Sequence, residues 1–315
     1  MASVKRLVYR IPGTGDNTID LAKDLSIVCR KLHRQKMTYT ILGGQVLESA
    51  GSTFYFKTAP HAWTTNVAIR RAFNIWRKAN REVYKKTDIK APKWSDFKLR
   101  LDSTHTTNLT PMYDTTEGTG NDVPYQEGEW NYSTLIQPKL IDPDRDGGLE
   151  FDADADSWDM QIVGNHDGSG DVTITESGQE FYANLTRVGV IRSWYNSRSI
   201  PFTADPNNAP AGPLNGVRTD PLSNIFDVQD DDSEMLSVIE SENDQAPYDY
   251  SNVPGMNDNE LQLVAFTDNA QSTGSGADVQ IVPGFQAPCG LVRVSSADNN
   301  GAVLMLDVLV EGERI

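Results

Sequence analysis

The sequence predicts an all-β protein, a sandwich of short strands with one or two inserted helices and long surface loops. Three observations lead there. Short runs rich in β-branched and aromatic residues are closed by Gly, Pro or Asn at both ends of the chain. From 102 to about 280 such runs alternate with long polar connections of Gly, Asn, Asp, Pro, Ser and Thr, the texture of a sandwich whose loops do the surface work. Six Trp, eleven Tyr and ten Phe supply the apolar surface for a core in 315 residues, although mean hydropathy is only -0.47. No repeat of fixed period is present. Two cysteines, Cys29 and Cys289, are too few for a disulfide framework or a four-cysteine metal site and read as small buried hydrophobes.

Element by element, Lys5–Ile11 is a strand closed by Pro12-Gly13, and Thr18–Leu21 a second. Leu21, Leu25, Val28, Cys29 and Leu32 recur at helical spacing, with Arg30, Lys31, Arg34 and Lys36 at the end, where positive charge suits the helix dipole. Met37–Leu42 alternates as a strand that bends at Gly43-Gly44, and Phe54–Phe56 is an aromatic strand. Residues 64–86 form the clearest helix: Ile69, Ala72, Phe73, Trp76, Ala79 and Val83 make one stripe, and Thr64 or Thr65 caps its start. Trp94–Leu101 alternates as a strand. Further strands are expected at Asn131–Leu140, Trp158–Val163, Asp171–Thr175 and Leu261–Phe266, with helical islands at Tyr182–Tyr195 and Asp232–Glu242. The end is β again: Val279–Val282, Cys289–Val294 and Ala302–Val310, the last apolar enough to be buried on both faces. The whole chain 1–315 reads as a single domain, with an elaborated loop region or small projection within 102–280.

Charge is distributed unevenly. Twenty of the 28 Lys and Arg lie in the first hundred residues against seven of the 44 Asp and Glu, a local net of +13, while the remainder carries -29. Such asymmetry points to a polyanion contact at the basic third, unless the two segments interleave in space and neutralise each other. The helix over 64–86 concentrates the signal. Arg70, Arg77, Lys78, Arg81 and Lys85 share a side, and Glu82 is its only acid. Long cationic side chains of this kind pair with phosphates without reading bases. Arg30, Lys31 and Arg34 form a second candidate cluster.

Enzyme signatures are missing. Gly13-Thr14-Gly15 lacks the third glycine of a dinucleotide site, and no phosphate-binding loop, nucleophile elbow, H-E-x-x-H or C-x-x-C occurs, so the chain is not expected to be an enzyme. Asp142, Asp144 and Asp146 stand at alternate positions before Gly147, as in the opening of a calcium loop, but the position for a bidentate Glu is Ala153. Asp152 is one of several acids that can substitute. The segment is either a calcium site, in a surface loop or at a subunit contact, or a solvated acidic loop. No apolar stretch is long enough to span a membrane, and the start lacks the apolar core of a signal peptide.

The runs TIDLAKDLSIVCRKLHRQKMTYT, AWTTNVAIRRAFNIWRKANREVYKK with PKWSDFKLRLD, and VPGFQAPCGLVRVSS with AVLMLDVLVEGERI together resemble capsid proteins of environmental circular Rep-encoding single-stranded DNA viruses. The likeness covers roughly the first hundred residues and the last forty. It implies a jelly-roll domain that self-assembles with copies of itself into an icosahedral virion around a single-stranded DNA genome, with outer loops available to a host receptor. Members of this kind often open with an arginine-rich arm. Here only Lys5, Arg6 and Arg10 lie near the start, which shifts genome contact to folded basic faces. The competing reading is a calcium-dependent carbohydrate- or ligand-binding β-sandwich protein.

Overall fold

The computed structural model describes residues 3–13, 15–48, 52–87, 90, 92–115, 122–141, 150–168, 172–174, 180–182, 185–199, 253–267, 278–296 and 301–310. The chain forms two compact units, Met1–Ser193 with Pro254–Ile315, and Trp194–Val253. Of the second, residues 194–199 and 253 are described. The element order is β1 (Ser3–Ile11), β2 (Asp16–Asp20), α1 (Leu21–Cys29), β3 (Thr38–Glu48), β4 (Phe54–Thr58), α2 (Trp63–Thr87), β5 (Met112–Thr115), β6 (Asp122–Pro124), β7 (Thr134–Ile141), β8 (Glu150–Gln161), β9 (Asp167–Gly168), β10 (Val172–Ile174), β11 (Glu180–Tyr182), β12 (Leu185–Gly189), α3 (Val190–Ser199), β13 (Gln262–Thr267), β14 (Asp278–Val282), β15 (Phe285–Pro288), β16 (Leu291–Ser296) and β17 (Ala302–Val310).

Two sheets drawn from the ends of the chain share one core. The larger has the order β14-β3-β17-β1-β5-β6, with β15 also on β3, and the smaller has the order β13-β4-β16-β2. Leu7, Tyr9, Ile11, Ile41, Val46, Leu304 and Leu306 from the larger meet Ile19, Phe54, Phe56, Val292 and Val294 from the smaller. The Phe56 and Phe285 rings lie 6.1 Å apart across that interior. The mostly β, antiparallel sandwich expected from the sequence is therefore present. Residues 59–261, between β4 and β13, hold α2, α3 and two smaller sheets, β7-β8-β12-β9 and β10-β11.

Local chemistry explains the boundaries. Asp20 caps α1 by accepting from the Ala22 and Lys23 amides, each at 3.1 Å, and Arg30 in the left-handed region stops it. The helix thus ends at Cys29, before Leu32, and the basic cluster lies in the following turn rather than in a last helical turn. β3 continues through Gly43-Gly44 with a register shift against β17 between Gly43 and Ile41, and at Gly44 the β17 backbone comes so near that a Cβ would sit 2.4 Å from the Met305 carbonyl oxygen. Cys289, buried, sits at φ 58 and Gly290 at φ 71 in the tight turn that carries the chain from one sheet to the other, whereas Cys29 is only half-buried.

Other expectations need correction. β17 is not buried on both faces. Ala302, Leu304, Leu306, Val308 and Val310 point into the core, and the intervening residues are half-buried on the outer face, where Asp307 pairs with Arg6. Trp94–Leu101 is not a strand. Its burial follows the docking of Phe97, Leu99 and Leu101 against neighbouring elements, and its sheet-type pairing is limited to a bridge from Arg100 to Gln161. The island at 182–195 is split: Leu185–Gly189 pairs with β8 as strand β12, and the helix begins only at Val190. Glu150–Asp156 belongs to β8, not to an acidic loop. Asp232–Glu242 lies outside the described residues.

Gly290→Ala should lower stability by about 2 kcal/mol, because the added Cβ would stand 2.8 Å from the Tyr39 ring at a positive φ. Gly15→Ala, at φ 90 with open space around it, should cost less. Urea unfolding of the two variants checks the order.

Candidate nucleic-acid interface

α2 owes its position to one mixed apolar face. Ala68 and Ile69 are buried, Ala72, Phe73 and Trp76 are half-buried, and the helix starts at Trp63, so Thr64 and Thr65 lie within its first turn rather than capping it. Phe97 from the 94–101 segment packs against Phe73 and Trp76 with ring centroids 5.8 and 5.7 Å apart. Ala79, expected in the stripe, is exposed.

The opposite face carries the cations. Arg70, Arg77, Lys78, Arg81 and Lys85 are all exposed. At 100° per residue they fall within an arc of about 100°, and Arg70 and Lys85 are separated by about 22 Å along the axis. Among the described residues no carboxylate forms an ion pair with any of the five. Elsewhere the basic third does interleave with acids. Arg6 pairs with Asp307 at 2.7 Å, Arg10 with Asp122 at 2.8 Å, Lys23 with Glu127 at 2.7 Å and Arg100 with Asp159 at 3.0 Å. Among the described residues neutralisation thus falls on the sheets, α1 and the 94–100 region and not on the five cations of α2.

The second cluster is divided. Lys36 stands 4.5 Å from the Phe73 ring and shares a groove with Asn66, Arg70 and Asn74, so this end of the cluster meets α2. Arg34 reaches Asp96 at 3.7 Å and shares a recess with Lys31 beside Tyr39. Arg30 lines a third groove with Trp94, Lys98 and Trp130. Sequence reasoning missed Trp94, Tyr84 and Trp130 as members of this surface. The adjacency of Lys93 and Trp94, whose ammonium and ring lie 5.5 Å apart, was a readable signal.

Of the acidic candidates, Asp142, Asp144 and Asp146 lie outside the described residues, and Asp152 falls within β8. Among the described residues no three His, Cys, Asp or Glu side chains are grouped as a metal ion requires. Also among them, no helix is long and apolar enough to cross a membrane.

Buried polar groups gather where α1 meets the 97–133 region. Asp20 also accepts from Gln35 Nε2 at 3.2 Å and Trp130 Nε1 at 3.0 Å. Burial lifts its pKa to about 6 against those bonds. Tyr9 donates to Asp24 Oδ2 at 2.6 Å, and burial raises the Asp24 carboxyl well above its usual range. Arg293 Nη2 meets Asp102 Oδ1 at 2.6 Å with both side chains buried. His105 Nδ1 accepts from the Leu101 amide at 2.9 Å, which leaves Nε2–H to donate to Asn108 Oδ1 at 2.7 Å. Burial lowers this imidazole to about 4, and the Asn108 bond opposes the shift. Each of these groups makes at least one structural bond while buried, although Asp24 Oδ1, Asp102 Oδ2 and Arg293 Nε have no hydrogen-bond partner among the described residues, and the cluster locks the inserted segment to the sandwich.

No family model matches the chain, and no curated protein or solved structure matches it either.

His105 generates a pH prediction. Its folded pKa lies below the unfolded value of 6.5, so the unfolded chain takes up the proton first and stability falls as pH drops toward 4. Asp20, raised to about 6, acts in the opposite sense, its contribution being lost as pH rises through that value. Between about pH 7 and about pH 5 the wild type should lose about 2 kcal/mol relative to His105→Gln. Parallel denaturant titrations measure the difference, and equal pH slopes for the two proteins would contradict it.

Proposed function

We propose that this chain is a viral coat protein: a jelly-roll subunit that assembles with copies of itself into a closed icosahedral shell and packages single-stranded DNA. The strand order supports the jelly roll. Taking β14 and β15 as one strand interrupted at Pro283-Gly284, eight strands divide between the sheets, β1, β3, β14 and β17 in one and β2, β4, β13 and β16 in the other, and in chain order they alternate except at β4 and β13, which pair within the smaller sheet. The neighbours β1-β17-β3-β14 and β2-β16-β4-β13 are those of two nested Greek keys closed on each other.

A fold does not specify a function, so the proposal rests on the site. The observation that carries it is the row of five exposed cations on α2 without carboxylate partners among the described residues, on a chain whose net charge is -16. Solubility does not require a local excess of positive charge on so acidic a chain. A polyanion held against that face gives the excess a purpose, and counterion release supplies the affinity. The acidic remainder then suits an outer surface or contacts between copies, where calcium bridging at Asp142, Asp144, Asp146 and Asp152 would strengthen assembly.

Purified protein should sediment as large particles, or form them when single-stranded DNA is added, and negative-stain imaging would show closed shells. A species that stays monomeric across salt, pH and calcium conditions overturns the proposal. Replacing Arg70, Arg77 and Arg81 with Ala should leave assembly in place, reduce retained DNA, and flatten the slope of log K against log salt by about 2. Unchanged retention would remove α2 from the genome contact.

A further inference from the structure

The cationic row explains attraction to phosphate but not a preference between duplex and unpaired strands. The surface beside it adds that information. A groove of about 740 Å³ runs between α2 and the segment after Pro92, walled by Trp76, Arg77, Arg81, Tyr84, Lys85 and Ser95. Among the described residues its lining pairs two aromatic rings with three cations and includes no carboxylate. The residue before Ser95 is Trp94, 52% exposed, with Lys93 at its ring. Trp94 walls the next groove, together with Arg30, Lys98 and Trp130, where the Lys98 ammonium stands 4.1 Å from the Trp130 ring. Glu129 is a carboxylate in that second lining, beside Arg30 and Lys98, while Lys23 is already paired with Glu127 at 2.7 Å.

Two consecutive residues, Trp94 and Ser95, therefore line neighbouring grooves that both combine aromatic rings with cations. Together they join the α2 row to Arg30. Trp94 is exposed and Tyr84 and Trp130 are half-buried, so each ring presents surface to the grooves. Apolar protein partners do not call for Arg77, Arg81, Lys85, Arg30 and Lys98 interleaved with the rings. Duplex DNA has its bases stacked inside and offers no π-face to a side chain, whereas an unpaired strand offers one per nucleotide, beside a phosphate.

We infer that the two grooves flanking Trp94 form a track for unpaired DNA, with bases stacked on Tyr84, Trp94 and Trp130 and phosphates paired with Arg77, Arg81, Lys85, Arg30 and Lys98. The track deepens the coat-protein reading, which supplies the source of the strand. It selects single-stranded over duplex DNA by base stacking and is tolerant of sequence, because every base has a π-face. Trp76, wedged against Phe97, fixes the groove floor, and the pairing of Arg34 with Asp96 helps hold the 94–97 segment against the α1–β3 turn.

The test is a fluorescence titration of the full chain with a short oligothymidylate, an abasic strand of equal length and a duplex of equal length, all at one salt concentration. Oligothymidylate should quench tryptophan emission and bind at least about tenfold more tightly than the abasic strand or the duplex. Trp94→Ala and Tyr84→Ala should each remove about tenfold from oligothymidylate affinity and leave abasic binding unchanged, and Trp94→Phe should restore most of the loss. Far-UV spectra matching the wild type confirm that the exposed-site variants fold. Arg81→Ala should weaken all three ligands alike. The track is overturned if the abasic strand or duplex binds as tightly as oligothymidylate, or if both aromatic variants stay within about twofold of wild type. Tighter binding of oligouridylate than of oligothymidylate would assign the track to RNA and overturn the DNA assignment. Particle formation separates the two claims. Shells with aromatic-insensitive DNA binding sink the track alone, and stacking without shells sinks the coat-protein reading alone.

Discussion

The pairing of the first strand with the last holds the sandwich together. β1 and β17 match over nine consecutive pairs, from Ser3 opposite Val310 to Ile11 opposite Ala302. β17 in turn lies against β3, so the centre of the larger sheet is made from residues about three hundred positions apart. Neither sheet can close until the chain's ends have met. Contacts of such separation carry a large loop-closure cost before any burial rewards them, which makes slow folding the expected regime. The reward is the core formed by Leu7, Tyr9, Leu304 and Leu306 against Phe54, Phe56, Val292 and Val294.

That frame accounts for the electrostatic pattern. Cations carried by β1, α1 and the 98–102 region sit where strands and loops from the acidic two-thirds pass, and they find partners at Asp307, Asp122, Glu127 and Asp159. α2 projects from the frame in the connection after β4, and its apolar face is already used by Phe97. Its outer face is exposed, and among the described residues no carboxylate pairs with its five cations. Interleaving and segregation of charge, alternatives at the level of sequence, both occur, and topology decides which residues follow which course.

The strands of the frame were legible because each carries its own alternation. Ser3–Ile11 and Phe54–Thr58 show it directly. The basic face of α2 was legible because helical periodicity is local. Legibility failed where tertiary docking overrides local pattern. Trp94–Leu101 alternates like a strand, yet Phe97 is claimed by α2 and Lys98 by Trp130. Leu185–Gly189 lost its helical reading to parallel pairing with β8. The continuous apolar run of β17 could not reveal that its outer side chains would be only half-covered. The grooves beside Trp94 were hidden for the same reason: Trp130 is anchored to the buried Asp20, and the 94–97 segment is held by the Arg34–Asp96 pair and by Phe97 on α2, so Arg30, Trp94 and Trp130 meet only in the fold.

The connection between β4 and β13 leaves and re-enters the smaller sheet on adjacent rungs, with Thr58 opposite Gln262. Whatever is strung between those rungs starts and finishes within one strand spacing, and the entropy of closing it grows only logarithmically with its length. The sandwich therefore acts as a socket. Cargo of different size and chemistry can be exchanged at that seat while the register of the frame is kept, so surface novelty and foldability can evolve on separate schedules.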